Sequence, residues 1–471
     1  MGMQFLNADK KSRLFIRVLV FLLLAILCES FGIYQFRISR FGVKSTVIDG
    51  FSSFFLMSLL VAAVIFISVY YALLRPLKSF RLYLPILFFI LLTISGIIDI
   101  WLKNSNFISY GDAGELRDSV GPIEQIANPR WVFGVYILSL FRWLIESFIV
   151  SVDPQIFIET IGTLLILGTS VFVLIKSKAR AAYVFPLFVP MWITFGTGYD
   201  EYQPFIAPIA ILVLLRIFDE HSERPALPEV FIVGLLPAIY VGFLPLSILY
   251  FAISLWSMDI KSNIKNLFFS IAIYLLAIEI SWPLGNRNYF ASVIPSLQLG
   301  VDTHGGVSGQ PSGSRSIFFG LTSVLSSSHL EGLGYMLLIG GGVFGSILVL
   351  FGLARLTKFA LPKSNVFSVD LKKIAVIRGV CLVWFSIYIF FLMAKLGPTG
   401  DIDAFCVTYI VFAISLGIWI DSLSDQLQWT SKSKAIVSGI ICSLNAPMFV
   451  GLGLLGISRT CDVYTAYRSF C

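Results

Sequence analysis

The sequence has few charged residues and very few histidines. Lys, Arg, Asp and Glu make up 13% of its 471 residues, and only three residues are histidine. This excludes a soluble domain of comparable size, because soluble globular domains contain about 25% charged residues. Hydrophobic residues account for 57% of the chain and the mean hydropathy is +0.88. We therefore expect an all-α integral membrane protein, since apolar runs of about 20 residues cross a bilayer as helices.

Three further observations each exclude a class of protein or a processing step. The net charge of +7 does not indicate nucleic-acid binding, because the bases lie in short loops between apolar runs, where they orient spans. The histidines have no Cys or Glu at zinc-ligand spacing. The first apolar run follows Lys10, Lys11 and Arg13 and has no small-residue cleavage site, which predicts a retained span rather than a signal peptide.

The apolar runs and the basic loops together predict about 13 transmembrane helices with a cytoplasmic amino terminus. Arg75, Lys78 and Arg81 agree with this orientation. The predicted spans are residues 14–36, 51–74, 81–102, 155–175, 181–198, 204–215, 228–258, 265–282, 334–357, 374–396, 404–421 and 435–457. Residues 228–258 count as two short spans broken near Gly242 to Pro245, because both ends carry cytoplasmic charge.

Residues 131–149 are apolar enough to span, but we predict an interfacial helix on the outer surface. A crossing here would put Lys176, Lys178 and Arg180 on the wrong side of the membrane. Arg142 and Glu146, four apart on one helical face, also fit poorly in hydrocarbon.

This topology divides the chain into two amino-terminal helices (1–80), a transmembrane domain (81–457) and an outer tail (458–471). Cys461 and Cys471 in the tail are placed for a structural disulfide. Polar clusters fall in the outer loops, which are residues 103–154, 197–203, 283–333 and 395–403. We therefore expect the chemistry at the outer surface.

The first outer loop carries Asp112 and Glu115 shortly after the third span. One interpretation is a capping box, in which Asp112 caps a helix and Glu115 reaches back to it. The other is a carboxylate pair on one helical face, able to accept a proton from a hydroxyl or to hold a divalent ion. The two interpretations are compatible.

The other outer loops hold weaker candidates. Asp200 and Glu201 lie in a turn between spans, where acids are commonly just solvated. Asp401 and Asp403 form an Asp-x-Asp pair that could ligate a metal such as Mg or Mn through oxygen, although helix entry also explains an acid there. The cationic candidates for binding a phosphate are Arg287, Arg315, His329 and Lys395.

Taken in order, these segments resemble the GT-C fold of membrane glycosyltransferases. GDAGEL (111–116) looks like the Asp-x-Gly-Glu motif of bacterial members, and GYDEYQPF resembles their acidic second outer loop. SSSHLEGLGYMLLI (326–339) and KLGPTGDIDAF (395–405) are similar to segments of uncharacterised bacterial members. ANPRWVFGVYILSLF (127–141) departs from their His-Pro-Pro stretch and matches only at Pro129 and around Tyr136. The likeness covers residues 81–405.

The resemblance implies a transferase that takes a sugar from a polyprenyl-phosphate donor, in a bacterial inner membrane with the site facing the periplasm. Asp112 would be the catalytic base and Glu115 would orient the glycan, lipid or protein acceptor. Asp200, Glu201, Asp401 and Asp403 would shape the acceptor or ion site. Arg287, Arg315, His329 and Lys395 would meet the donor phosphate. Whether a metal is needed stays open.

Two other functions stay open. An O-antigen-type polymerase or ligase would depend on Arg287, Arg315 and His304 instead of Asp112. A secondary transporter should show ionisable groups inside spans and broken helices. In the sequence, Glu279 and the break near residues 242–245 are the hints of that kind.

Overall fold

The computed structural model describes residues 20, 23–34, 50–74, 82–104, 132–148, 154–196, 203–218, 227–240, 243–244, 246–248, 250–251, 260–281, 406–426 and 428–451. Within these ranges the chain is helical and contains no strand. Five helices there are long and apolar enough to cross a membrane, namely Phe51–Leu73, Tyr83–Trp101, Ile156–Lys176, Ile260–Ser281 and Ser431–Gly451. The all-α membrane class is thus confirmed. The count of about 13 spans stays a prediction, because 334–357 and 374–396 lie outside the described residues.

The helices follow the predicted spans closely where both can be compared. They are α1 (Leu23–Tyr34), α2 (Phe51–Leu73), α3 (Tyr83–Asn104), α4 (Val132–Phe148), α5 (Pro154–Lys176), α6 (Ala181–Val184), α7 (Pro190–Gly196), α8 (Gln203–Phe218), α9 (Leu227–Ile239), α10 (Ile260–Ser281), α11 (Cys406–Gln426) and α12 (Ser431–Ser443). A continuous core joins α2, α3, α5 to α8, α11 and α12. Its largest fully buried side chains include Trp192, Tyr409, Phe89, Phe185 and Phe188.

Contacts between the helices define two ends of the bundle. At one end, Lys434 Nζ donates to the carbonyl oxygen of Ala179 at 3.0 Å, and Arg216 Nε donates to Glu229 Oε1 at 2.6 Å. We call this the basic end, because most described Lys and Arg residues lie there. They are Lys176, Lys178, Arg180, Arg216, Lys261, Lys265, Lys432 and Lys434.

The opposite end is defined by aromatic contacts. The rings of Tyr34 and Phe51 are 5.7 Å apart between centroids, and those of Trp101 and Phe157 are 6.4 Å apart. Glu29, Asp99, Glu159 and Glu279 lie in this half of their helices. The positive-inside rule would place the basic end in the cytoplasm.

The predicted span 181–198 is broken in the structure. Helix α6 ends at Val184, a 3-10 turn occupies Phe185–Phe188, and α7 begins at Pro190. Val189 is extended, with φ −71° and ψ 137°. The prolines explain the break, because Pro190 disfavours the helical conformation of the residue before it, and Pro186 has no N–H to donate.

The last span has a break as well. Helix α12 ends at Ser443, a turn follows at Leu444 and Asn445, and residues 446–451 are helical again. The Asn445 side chain is buried and its Nδ2 donates to the carbonyl oxygen of Phe188 at 3.5 Å. The breaks in two neighbouring spans therefore adjoin.

Residues 227–251 form a short hairpin. Helix α9 ends at Ile239, three residues before the predicted break, and the chain then doubles back. Ser247 Oγ donates to the carbonyl oxygen of Val233 at 2.8 Å, which places the returning segment beside α9. The 13 residues of α9 reach about 20 Å, less than the roughly 30 Å of bilayer hydrocarbon.

Candidate functional site

The predicted site residues all lie outside the described residues. They are Asp112, Glu115, Asp200, Glu201, Arg287, Arg315, His329, Lys395, Asp401 and Asp403. Their roles therefore stay predictions, as does a Mg or Mn ion. What can be described is where the helices that flank these segments begin and end.

The helices on either side of the first outer loop meet at the opposite end. Trp101, close to the end of α3, packs edge-on against Phe157, in the first turn of α5. Helix α5 runs back beside α3, which makes the two helices antiparallel neighbours. The end of α3, after which Asp112 and Glu115 follow in the chain, therefore lies beside the start of α5.

The second predicted outer turn is anchored against the same helix. A Cβ at Gly196, the last residue of α7, would lie 2.9 Å from Leu92 Cδ2 of α3 and at an ordinary packing distance of 3.4 Å from Ile166 Cγ2 of α5. A Cβ at Gly162 of α5 would lie 3.0 Å from Pro204 Cβ in α8. The helices on both sides of residues 197–202 therefore contact α5, and glycine at position 162 permits the close approach of α8.

Helix α4 contacts the tip of the hairpin. A Cβ at Gly134 would lie 2.6 Å from the carbonyl oxygen of Ile239, so only glycine allows this approach. Beside it, Phe133 packs on the small cluster that Ala238 forms with Ala277 of α10. Because α9 is short, this contact fixes the amino-terminal end of α4 against a tip that lies within the helical bundle.

The carboxy-terminal half of α4 is exposed. Arg142 Nε donates to Glu146 Oε1 at 2.8 Å, so the charges predicted to share a helical face do pair, with side-chain exposures of 33% and 49%. Trp143 and Phe148 are also exposed. These features are compatible with the predicted interfacial position, which stays a prediction.

Two buried carboxylates were missed by the sequence analysis. Glu29 in α1 and Glu159 in α5 are each 5% exposed. The backbone carbonyl of Glu159 accepts a hydrogen bond from Thr163 Oγ1 at 3.0 Å. The signal was present, because a single acid within an apolar run is costly in a membrane and commonly has a function. Glu279, which the sequence analysis did consider, is exposed near the end of α10.

The described residues contain no group of three or more His, Cys, Asp or Glu side chains that could hold a metal ion. The free cysteines among them are Cys28 and Cys442. Glu29 and Glu159 are the carboxylates that are buried in this part of the chain.

No family model, no curated protein and no solved structure matches this chain.

Proposed function

We propose that this protein is an integral membrane glycosyltransferase that moves a sugar from a polyprenyl-phosphate donor to a glycan, lipid or protein acceptor. The all-helical membrane architecture is consistent with a lipid-linked donor, whose tail needs a groove between spans while its head needs polar groups at the interface. The product class would be a cell-envelope glycan or polysaccharide.

One observation carries the proposal. The contacts Trp101–Phe157 and Gly162–Pro204 bring the anchoring points of the first and second acidic loops to the same end of α5. Two loops that are distant in sequence would then extend from adjacent positions, as a composite active site requires. This supports a shared site for Asp112, Glu115, Asp200 and Glu201.

In the proposed mechanism Asp112 removes the proton from the acceptor hydroxyl while the sugar–phosphate bond breaks. The polyprenyl phosphate leaves with the bonding electrons, and the oxygen of the acceptor takes its place on the sugar. Glu115 orients the acceptor. The cations Arg287, Arg315 and Lys395, with His329, stabilise the charge of the leaving phosphate.

The test is transfer from a panel of polyprenyl-phosphate sugars by purified protein, with Asp112→Asn beside the unchanged protein. Asparagine keeps the shape but cannot act as a base, so turnover should fall by roughly two to four orders of magnitude. Glu124→Gln in the same loop is the matched control and should keep activity. Transfer undiminished in Asp112→Asn would contradict the assigned role.

The same assay distinguishes the transferase from the polymerase or ligase alternative. If the alternative is correct, Arg287→Ala, Arg315→Ala or His304→Ala should abolish activity on a lipid-linked oligosaccharide, whereas Asp112→Asn should have no effect. That pattern would move the site to the loop 283–333.

Buried acids and helix breaks favour a transporter as the second candidate function. Glu29 and Glu159 are buried in membrane helices, and the spans 181–196 and 431–451 are both broken. A transporter would lose substrate uptake in proteoliposomes with Glu159→Gln. Failure to transfer from any lipid-linked sugar, together with such uptake, would replace the transferase.

A further inference from the structure

A cluster of charged and backbone groups joins three distant segments at the basic end. The carboxylate of Asp421, in the last turns of α11, accepts hydrogen bonds from the backbone N–H of Ala181 at 2.9 Å and of Ala182 at 3.1 Å. Lys434 in α12 forms an ion pair with the same carboxylate and donates to the carbonyl oxygen of Ala179 at 3.0 Å. We call this set of bonds the clamp.

The clamp supplies bonds that α6 cannot make for itself. The first N–H groups of a helix have no partner within that helix. At Arg180, the residue before α6, no side chain caps them. A carboxylate from α11 therefore performs this role, and a negative charge is favourable at a helix amino terminus. Lys434 offsets the charge of that carboxylate.

The turn that the clamp holds has an uncommon backbone conformation. Lys178 and Ala179 have φ of 46° and 60°, a region that residues with a Cβ rarely adopt. The turn is closed by the Arg180 N–H, which donates to the carbonyl oxygen of Ser177 at 2.8 Å. Such conformations persist where the surrounding structure determines them, and here Lys434 fixes the carbonyl of Ala179.

The packing beneath the clamp leaves no space for a water layer. A Cβ at Gly417 would lie 2.4 Å from Cα of Ala182, so α11 and α6 are in backbone contact. The side chains of Asp421 and Lys434 are 19% and 12% exposed, compared with 49% for Glu146 in the surface pair of α4. Partial burial of this kind makes the pair less sensitive to screening than a surface ion pair.

We infer that the clamp acts as a lock, by which we mean that its bonds stay formed throughout the native state and keep α6, α11 and α12 together at the basic end. Separation of α11 from α6 would break the two N–H bonds of Asp421, the ion pair and the bond to Ala179 at once. It would also release the turn at Lys178 and Ala179. The basic end is thus the static part of the molecule.

Hydrogen–deuterium exchange of the purified full-length protein in nanodiscs tests this directly, because Ala181 and Ala182 donate the clamp's own bonds. Peptides covering 177–184 should exchange slowly in the unchanged protein. Asp421→Asn should accelerate their exchange by about 10- to 100-fold, the range expected for loss of hydrogen bonds to a charged acceptor. Glu146→Gln removes an exposed ion pair and should leave these peptides unchanged. Equal exchange in the unchanged protein and in Asp421→Asn would overturn the lock.

Exchanging the two charges tests whether the clamp depends on the backbone hydrogen bonds of Asp421 or only on its ion pair with Lys434. Asp421→Lys combined with Lys434→Asp keeps both charges but places a donor where the N–H groups of Ala181 and Ala182 need an acceptor. We expect exchange in 177–184 to stay fast in the swapped protein. Restoration of slow exchange would show that the backbone bonds are dispensable and would refute the inference.

A thiol probe in the turn provides a second, independent measurement of opening at the basic end. Ser177 is fully buried in the turn, and Ser177→Cys changes little in size. Its reaction with a membrane-impermeant maleimide should be at least about 10-fold slower than that of Lys432→Cys, which is exposed, since a buried thiol reacts only through opening. The unsubstituted protein measures the background from native cysteines. Equal rates would mean that the basic end opens readily.

Discussion

The two ends of this bundle are held together by different kinds of contact. At the basic end, Asp421 and Lys434 connect helices through charged hydrogen bonds to the backbone. At the opposite end, the contacts between helices include aromatic rings and glycine-permitted approaches, such as Trp101 with Phe157 and Gly134 with Ile239. Directional charged bonds fix a geometry, whereas apolar contacts allow small displacements. We predict from these contacts that the opposite end is the more adaptable one.

The largest effect is expected from Gly417→Ala at the basic end. The new Cβ would lie within 2.6 Å of three backbone atoms of Ala181 and Ala182, which cannot rotate away. We expect a loss of about 3 kcal/mol or failure to fold, measured by thermal unfolding in detergent. Gly168→Ala in α5, where a Cβ meets nothing within 4 Å, should instead stabilise by up to about 1 kcal/mol. Equal changes in stability for the two variants would contradict the close contact between α11 and α6.

A smaller effect is expected from Gly134→Ala at the opposite end. The new Cβ would meet one carbonyl oxygen, that of Ile239, so α4 can shift away from the hairpin. The expected loss is about 1 to 2 kcal/mol in the free energy of unfolding. If the proposed transferase is correct, turnover should fall by a larger factor than the folding equilibrium constant, because α4 lies in the first outer loop together with Asp112 and Glu115. A stability loss as large as that of Gly417→Ala would contradict an adaptable opposite end.

The smallest effect is expected from Glu146→Gln. Its partner Arg142 is one turn away and both side chains are partly exposed. Exposed pairs of this spacing contribute about 0.3 to 0.5 kcal/mol, so the thermal unfolding midpoint should hardly change. The residual effect should disappear at high salt. A loss above about 1 kcal/mol would mean that α4 is held by this pair rather than by its contacts with α9 and α10.

Sequence reasoning predicted the membrane class and the positions of the long helices, because apolar length is a local property. It also placed a break in residues 228–258, and α9 does end at Ile239. It missed the breaks at residues 185–189 and 444–445, although Pro186, Pro190 and Pro447 were readable signals. Apolar composition continues across these prolines, so a hydropathy criterion alone does not detect them.

The clamp could not have been predicted from sequence. In the sequence, Asp421 is the last residue of the predicted span 404–421 and Lys434 precedes the predicted span 435–457, and nothing local shows that Ala181 is their neighbour. The predicted site residues from Asp112 to Asp403 are a different case, because they lie outside the described residues. Their grouping still depends on resemblance and on the anchoring of the loops at α5.

The order of synthesis gives the clamp a consequence for biogenesis. Ala181 and its partner Asp421 are 240 residues apart, so at about 5 to 20 residues per second roughly 10 to 50 s pass between their synthesis. During that interval the N–H groups of Ala181 and Ala182 lack the carboxylate that accepts their hydrogen bonds. Closure of the basic end is therefore a late step, and a nascent chain that stops before α11 and α12 leaves α6 uncapped.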